Sequence, residues 1–145
     1  MKTRIITDEK KCVGYYACMA ACIAAHHTAE DEMAQSFRRI KAVREGTDFQ
    51  KNVCISCLHC GKCINVCLSG ALYRDEQTGL VLSDKARCVG CGSCAPVCPQ
   101  QVIRYDENGK IEKCDGCHAR MLRGEEPACV RNCYMRAIRV VRTGD

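Results

Sequence analysis

Apolar and polar positions alternate over several short stretches of this chain, and each stretch predicts a strand. "TRIIT" (3–7) and "AIRVV" (137–141) are short and mainly β-branched, and they are predicted to pair as terminal strands. "ALYRDEQTGLVL" (71–82) holds two apolar runs around a glycine-containing turn and reads as a hairpin. "VIRYDENGKIEK" (102–113) repeats the plan, and its Asn108-Gly109 pair is the strongest hairpin signal in the chain. "FRRIKAVR" (37–44) predicts one more strand, with imperfect alternation. The Ala-rich run "MAACIAAHHTAEDEMAQ" (19–35) predicts helix over part of its length.

Cysteines fall between these elements as an internal repeat. One unit reads "CLHCGKCINVCLSGALY", with Cys57, Cys60, Cys63 and Cys67; another reads "CVGCGSCAPVCPQQVIRY", with Cys88, Cys91, Cys94 and Cys98. Both are C-x2-C-x2-C-x3-C, and Ala71-Leu72 and Val102-Ile103 follow at matched positions. A third unit opens with Cys114 and Cys117, carries an insertion, and closes with Cys129, Cys133 and Ala137-Ile138. The opening "KCVGYYACMAAC" holds Cys12, Cys18 and Cys22, with Tyr15 where the repeat calls for a cysteine. Helical turns are expected after the closing cysteines.

Composition makes cysteine chemistry the organising fact: 16 of 145 residues are cysteine, with no tryptophan and two phenylalanines. So small a chain without an aromatic core needs disulfides or metal. The polar start "MKTRIITDEKK" does not resemble an export signal, and no run approaches the roughly 20 apolar residues of a membrane span. The expectation is a cytoplasmic protein with no direct membrane anchor, in a compartment that disfavours disulfides. The formal charge of +5 counts every cysteine as neutral. Metal-bound thiolates offset that excess, and no aromatic-rich basic stripe supports nucleic-acid binding.

Two residues between cysteines let one loop wrap a cubane, with three sulfurs and several backbone N–H groups facing it. In two-cluster ferredoxins the last cysteine of each run serves the other cluster, and Cys98-Pro99 matches the C-P ending of that motif. Leu68 after Cys67 departs from it. Zinc knuckles use cysteine pairs, so three cysteines at x2 and x2 with a fourth at x3, twice over, favour iron.

The motifs "GALYRDEQTGLVL", "RCVGCGSCAPVCP" and "EKCDGCHARMLRGEEPACVRNC" extend the pattern over nearly the whole chain, residues 8 to 141. On them the chain resembles the four-cluster ferredoxin-like electron-transfer subunits of molybdenum and tungsten oxidoreductases of the dimethyl sulfoxide reductase type. It is also similar to the small subunits of aldehyde ferredoxin oxidoreductase-type enzymes, including class II benzoyl-CoA reductases. The resemblance implies an α+β fold of two interleaved bacterial ferredoxin-like lobes, with short β-hairpins and short helices around iron–sulfur clusters. One lobe would take about 1–35 plus 111–145, the other about 50–110.

It also implies crossed ligation. Cys57, Cys60, Cys63 and Cys98 would hold one [4Fe-4S] cluster, and Cys88, Cys91, Cys94 and Cys67 a second. Cys114, Cys117, Cys129 and Cys22 would hold a third. Cys12, Cys18 and Cys133 remain for a fourth, with Tyr15 at its missing position and Cys54 unassigned. Several outcomes stay open there: packed thiols without iron, a four-iron cluster completed by Cys54 or Tyr15, a [3Fe-4S] cluster, or zinc. A phenolate is a poor ligand for a low-potential cubane, and Cys54 must reach from the other lobe. Cys54 is otherwise a spare, or takes the place of Cys60.

No nucleophile–base pair, phosphate loop or substrate-pocket signature is present, so the chain is not expected to be an enzyme on its own. His26, His27, His59 and His118 lie near cysteines as candidate ligands or, more plainly, as neighbours. Lys62, Arg87, Lys113 and Arg131 flank ligands as candidate tuning charges. "RMLRGEEPAC" in the insertion is a candidate docking surface. The resemblance implies an electron relay to or from a large catalytic subunit, a tungsten or molybdenum pterin oxidoreductase of anaerobic metabolism, and another redox partner. A free-standing polyferredoxin and a cysteine-rich zinc module are the competing readings.

Overall fold

In a computed structural model the described residues are 1–27 and 34–144. Among them the strands form four two-stranded antiparallel sheets. Strand β1 (Lys2–Thr7) and strand β8 (Ile138–Thr143) join the two ends of the chain, from Lys2↔Thr143 to Thr7↔Ile138. Alternation along β1 turns Thr3 and Ile5 inward, as a two-residue period requires.

Strands β4 (Leu72–Arg74) and β5 (Val81–Ser83) form one predicted hairpin, and β6 (Arg104–Tyr105) and β7 (Ile111–Glu112) the other. Asp75 organises the β4–β5 turn by accepting from the Thr78 amide at 2.8 Å and from its hydroxyl at 2.6 Å. The Thr3 amide donates to Gly79 O at 3.0 Å, and the Thr3 hydroxyl to Thr78 O. The terminal sheet is thereby tied to this turn.

The sequence pattern missed one strand. β2 (Arg39–Glu45) pairs with β3 (Asp48–Ile55) in register Ile40↔Cys54. The first four residues of β3 are exposed, so its apolar signal is confined to a few positions at its end.

Helix α1 (Ala17–His26) carries Cys18 and Cys22; the rest of the predicted helical run, 28–33, lies outside the described residues. The remaining helices are short: α2 (Cys94–Val97), α3 (His118–Leu122) and α4 (Ala128–Arg131), with a single 3₁₀ turn at Ile64–Val66. Single turns do follow the closing cysteines, with Gly70, Gln101 and Arg136 N–H donating to Cys67, Cys98 and Cys133 O. The assigned helical segments, at 64–66, 94–97 and 128–131, come before the closing cysteines. Three intervening residues are about one helical turn, so the turn brings both thiols to one side before the chain leaves extended.

The apolar core is divided. Leu72, Val81 and Ile111 pack with Cys63 and Cys94, and Ile5, Val130 and Ile138 pack with Cys18. Leu80, Leu82 and Met121 form a third group. Leu80 and Val81 are both 0% exposed, and burial of each contributes roughly 2 kcal/mol. Cysteine sulfurs belong to two of the three groups, so the cores end at the cysteine sites.

Candidate metal centres

The cysteine-bearing loops share one backbone. In 57–63, residues two and four past the first cysteine, His59 and Gly61, have positive φ; in 88–94 the corresponding Gly90 and Gly92 do. Such left-handed steps turn successive amides toward one concavity and favour anions there. The loop 12–18 repeats the pattern at Gly14 (φ 74°) and Tyr16 (φ 67°). Position 15 therefore occupies the place of Cys60 and Cys91 on a loop that has kept the same conformation.

All sixteen cysteines fall around four cavities. Cys57, Cys60, Cys63 and Cys98 line one, and Cys67, Cys88, Cys91 and Cys94 another. Cys22, Cys114, Cys117 and Cys129 line a third, which Cys57 borders as well. Cys12, Cys18, Cys54 and Cys133 line the fourth. The four cavities are alike in size. Four soft donors around each, with Cys57 bordering the third as well, suit thiolate-held iron–sulfur clusters.

The fourth set is completed from outside its own loop. Ile40 and Cys54, paired across β2–β3, both line this cavity. Asn52 on β3 donates to Cys12 O at 3.2 Å and clamps the loop to the strand. Gly14 permits the approach, since a Cβ there would lie 2.9 Å from the Asn52 amide nitrogen. Tyr15 also lines this cavity, but its hydroxyl is engaged elsewhere. Its hydroxyl donates to Asn132 O at 3.0 Å and accepts from the Tyr134 amide at 3.2 Å.

Several sulfurs accept backbone N–H groups, which lower the cost of thiolate charge. His59 N–H reaches Cys57 Sγ at 3.4 Å, Gly116 N–H reaches Cys114 Sγ at 3.3 Å, and Ala137 N–H reaches Cys133 Sγ at 3.3 Å. Burial nevertheless pushes the Cys63 and Cys117 thiols up to about 11. It raises Cys114 and Cys129 as well. Cys91 is held below its usual range by the backbone and side-chain donors of Ser93. At Cys54 the Cys18 thiol donates and outweighs burial, and the charge of Arg38 adds to it, bringing Cys54 down to about 6.

The other singled-out residues divide. His59 is 1% exposed. Its Nδ1 accepts from Val81 N–H at 3.1 Å, while Nε2 has no partner among the described residues. Burial, then the charges of Lys113 and Arg74, lower its pKa and keep it neutral. His26 Nε2 lies 3.4 Å from Cys117 Sγ. His118 pairs with Asp75 at 3.2 Å, and the ring of His27 stacks on Phe37. Lys113, 6% exposed, donates to Val81 O at 2.6 Å and lines the Cys57 cavity. Arg87 pairs with Asp84 at 3.7 Å; Lys62 and Arg131 are exposed. In the insertion Met121 packs on Leu80 and Leu82, and Arg120 Nε donates to Glu126 O at 2.8 Å. Sequence reasoning missed Arg38 and Asn52, because both occupy polar positions of strand-like stretches that nothing marks as buried.

No helix among the described residues is long and apolar enough to cross a membrane. Residues 46–143 match the family model described as a 4Fe-4S dicluster domain. The thiosulfate reductase electron transfer subunit PhsB of Salmonella typhi is 35% identical over 150 residues, covering 95% of this chain and 74% of that protein. YnfG of Escherichia coli K12, described as a probable anaerobic dimethyl sulfoxide reductase component, is 35% identical over 146 residues, covering 90% and 69%. Among solved structures, the active site complex BamBC of benzoyl coenzyme A reductase aligns at TM-score 0.47 and 24% identity, covering 99% of this chain and 81% of that one.

Proposed function

The chain belongs to the 4Fe-4S dicluster domain family, and from that membership we propose that it is a non-catalytic electron-transfer subunit with four [4Fe-4S] sites. The observation that carries the reading is the partition of sixteen cysteines into four sets of four around cavities of similar size. The proposed ligand sets are Cys57, Cys60, Cys63, Cys98; Cys67, Cys88, Cys91, Cys94; Cys22, Cys114, Cys117, Cys129; and Cys12, Cys18, Cys54, Cys133. In this reading Cys54 replaces the cysteine lost at Tyr15. The crossed fourth ligands tie the sites together within each of two lobes, about 1–35 with 111–145 and about 50–110, and Cys54 reaches from the second lobe into the first.

Bound there, each cluster would supply one reversible electron step at a potential set by its surroundings. The chain's own residues provide the rest. The thiolates fix the sites, backbone amides offset their charge, and Leu72, Val81, Ile111, Ile5 and Val130 keep the spaces between them apolar. Adjacent sites meet through single residues. Cys57 borders two cavities, and Arg38 lines one while donating to Cys54 in another.

Electrons would pass to or from a large catalytic oxidoreductase subunit, as the names of the reductase relatives support, and that subunit would be a tungsten or molybdenum pterin enzyme. A reducing compartment, the cytoplasm, keeps sixteen thiols available for iron. The test is iron and zinc content of anaerobically purified protein, corrected for a co-purifying subunit. About 16 irons per chain and no zinc are expected. About 12 would refute the Cys54 site, about 15 would make it a three-iron site, and several zincs with little iron would refute electron transfer. Purification alone as a fully loaded monomer would refute the subunit role in favour of a free carrier.

A further inference from the structure

Arg38 is 3% exposed, and a buried guanidinium requires partners. Among the described residues it has no carboxylate partner. Its Nη1 donates to Cys54 Sγ at 2.6 Å and to Thr7 Oγ1 at 3.1 Å. The same side chain lines the cavity of Cys22, Cys114, Cys117 and Cys129. Among the described residues the surroundings of this cation are thus the Cys54 sulfur, the Thr7 hydroxyl and the wall of the Cys129 cavity, so it touches two ligand sets. It enters the molecule on the hairpin that delivers Cys54, with Ile40 and Cys54 paired two residues beyond it.

We propose that Arg38 is a positioning residue shared by two clusters, orienting the Cys54 thiolate and raising the reduction potentials of the Cys54 and Cys129 sites relative to the other two. The inference rests on the reading of Cys54 as a ligand. Each reduction adds one electron from the external redox partner, with no bond made or broken. A fixed positive charge in contact with the Cys54 sulfur and at the wall of the Cys129 cavity stabilises the added negative charge. At an effective dielectric constant near 20, unit charges within roughly 8 Å shift such an equilibrium by more than tenfold. Arg38 would make these two adjoining sites the preferred resting place for electrons within the chain.

The test is a potentiometric titration of the iron-loaded protein followed by electron paramagnetic resonance. Arg38→Met and Arg38→Gln remove the charge; Arg38→Lys keeps it. Both neutral variants are expected to lower two of the four potentials by at least tenfold in the reduction equilibrium, about 59 mV for a one-electron couple. The lysine variant is expected to stay near the parent value. Unmoved potentials at full iron content, or an equal shift of all four, would overturn the proposal. If a neutral variant loses the Cys54 cluster, its Cys129 cluster is compared with that of Cys54→Ala protein that holds about 12 irons, which lacks the same cluster and keeps Arg38. A lower potential without Arg38 supports the proposal, and an equal one overturns it. A parent protein with about 12 irons would overturn the Cys54 reading separately, and the shift at the Cys129 cluster would then decide the role of Arg38.

Discussion

Cys54→Ala tests the fourth site, and its effect can be worked from the structure. The backbone of Cys54 pairs with Ile40 in the β2–β3 ladder, so truncating the side chain leaves the hairpin in place. It removes one of four thiolates from a single cavity and leaves twelve in the other three. Iron content should fall from about 16 to about 12, or to about 15 if three thiolates retain a three-iron cluster. The variant also strips Arg38 of its 2.6 Å sulfur partner. Leaving one member of a buried charged pair alone costs about 3 kcal/mol, so thermal unfolding should begin several degrees lower. Cys54→Ser separates the two effects. Its hydroxyl can still accept from Arg38 but is a poor cluster ligand, so iron should fall with less loss of stability. Tyr15→Cys added to Cys54→Ala should restore the lost irons, because loop 12–18 has the same positive-φ pattern as the loops that present Cys60 and Cys91. The assays are iron and sulfide determination with electron paramagnetic resonance of the reduced protein. Unchanged iron in Cys54→Ala, or no recovery in the double variant, would refute the reasoning.

Gly116→Ala should be strongly destabilising, since φ is 69° and the added Cβ would lie 2.5 Å from Leu80 Cδ2. The strained backbone and overpacking together cost about 2–4 kcal/mol, readable as a fall in unfolding temperature; a change within experimental error would contradict the packing. Arg74 donates to Gly79 O at 2.8 Å and to His59 O and Cys60 O at 3.4 Å. Arg74→Ala should cost about 2 kcal/mol and speed iron release to a chelator from the Cys57 site alone; equal release from every site would argue against a local clamp. In protein not yet loaded with iron, Cys54 titrates at about 6 against an ordinary 9.0. Its lowered pKa makes it a thiolate between those values, so iodoacetamide should label it at pH 7 and lose rate as pH falls through 6. Labelling that rises only above pH 8 would contradict the contacts with Cys18 and Arg38.

Much was determined by sequence alone, and for a local reason. The spacing C-x2-C-x2-C-x3-C is read within a dozen residues, and so are the turns around Gly79 and Asn108-Gly109. The chain ends declared themselves as strands through β-branched runs, and β1 and β8 pair accordingly. The dicluster family was legible from the same repeats, and the three cysteine sets that the resemblance implies each gather around one cavity. The fate of "KCVGYYACMAAC" was not, because its fourth neighbouring sulfur lies on β3, whose polar face hides a strand. Only the register Ile40↔Cys54 aims that sulfur into the cavity; a slip by one residue would turn it to the opposite face. The burial of Arg38 was equally out of reach. An arginine among polar neighbours reads as a solvated charge until packing brings Thr7, Cys54 and the Cys129 cavity around it. Register and enclosure are set by segments far apart in the chain, so the tertiary structure alone decided which sulfur completed the fourth set and which cation lay beside it.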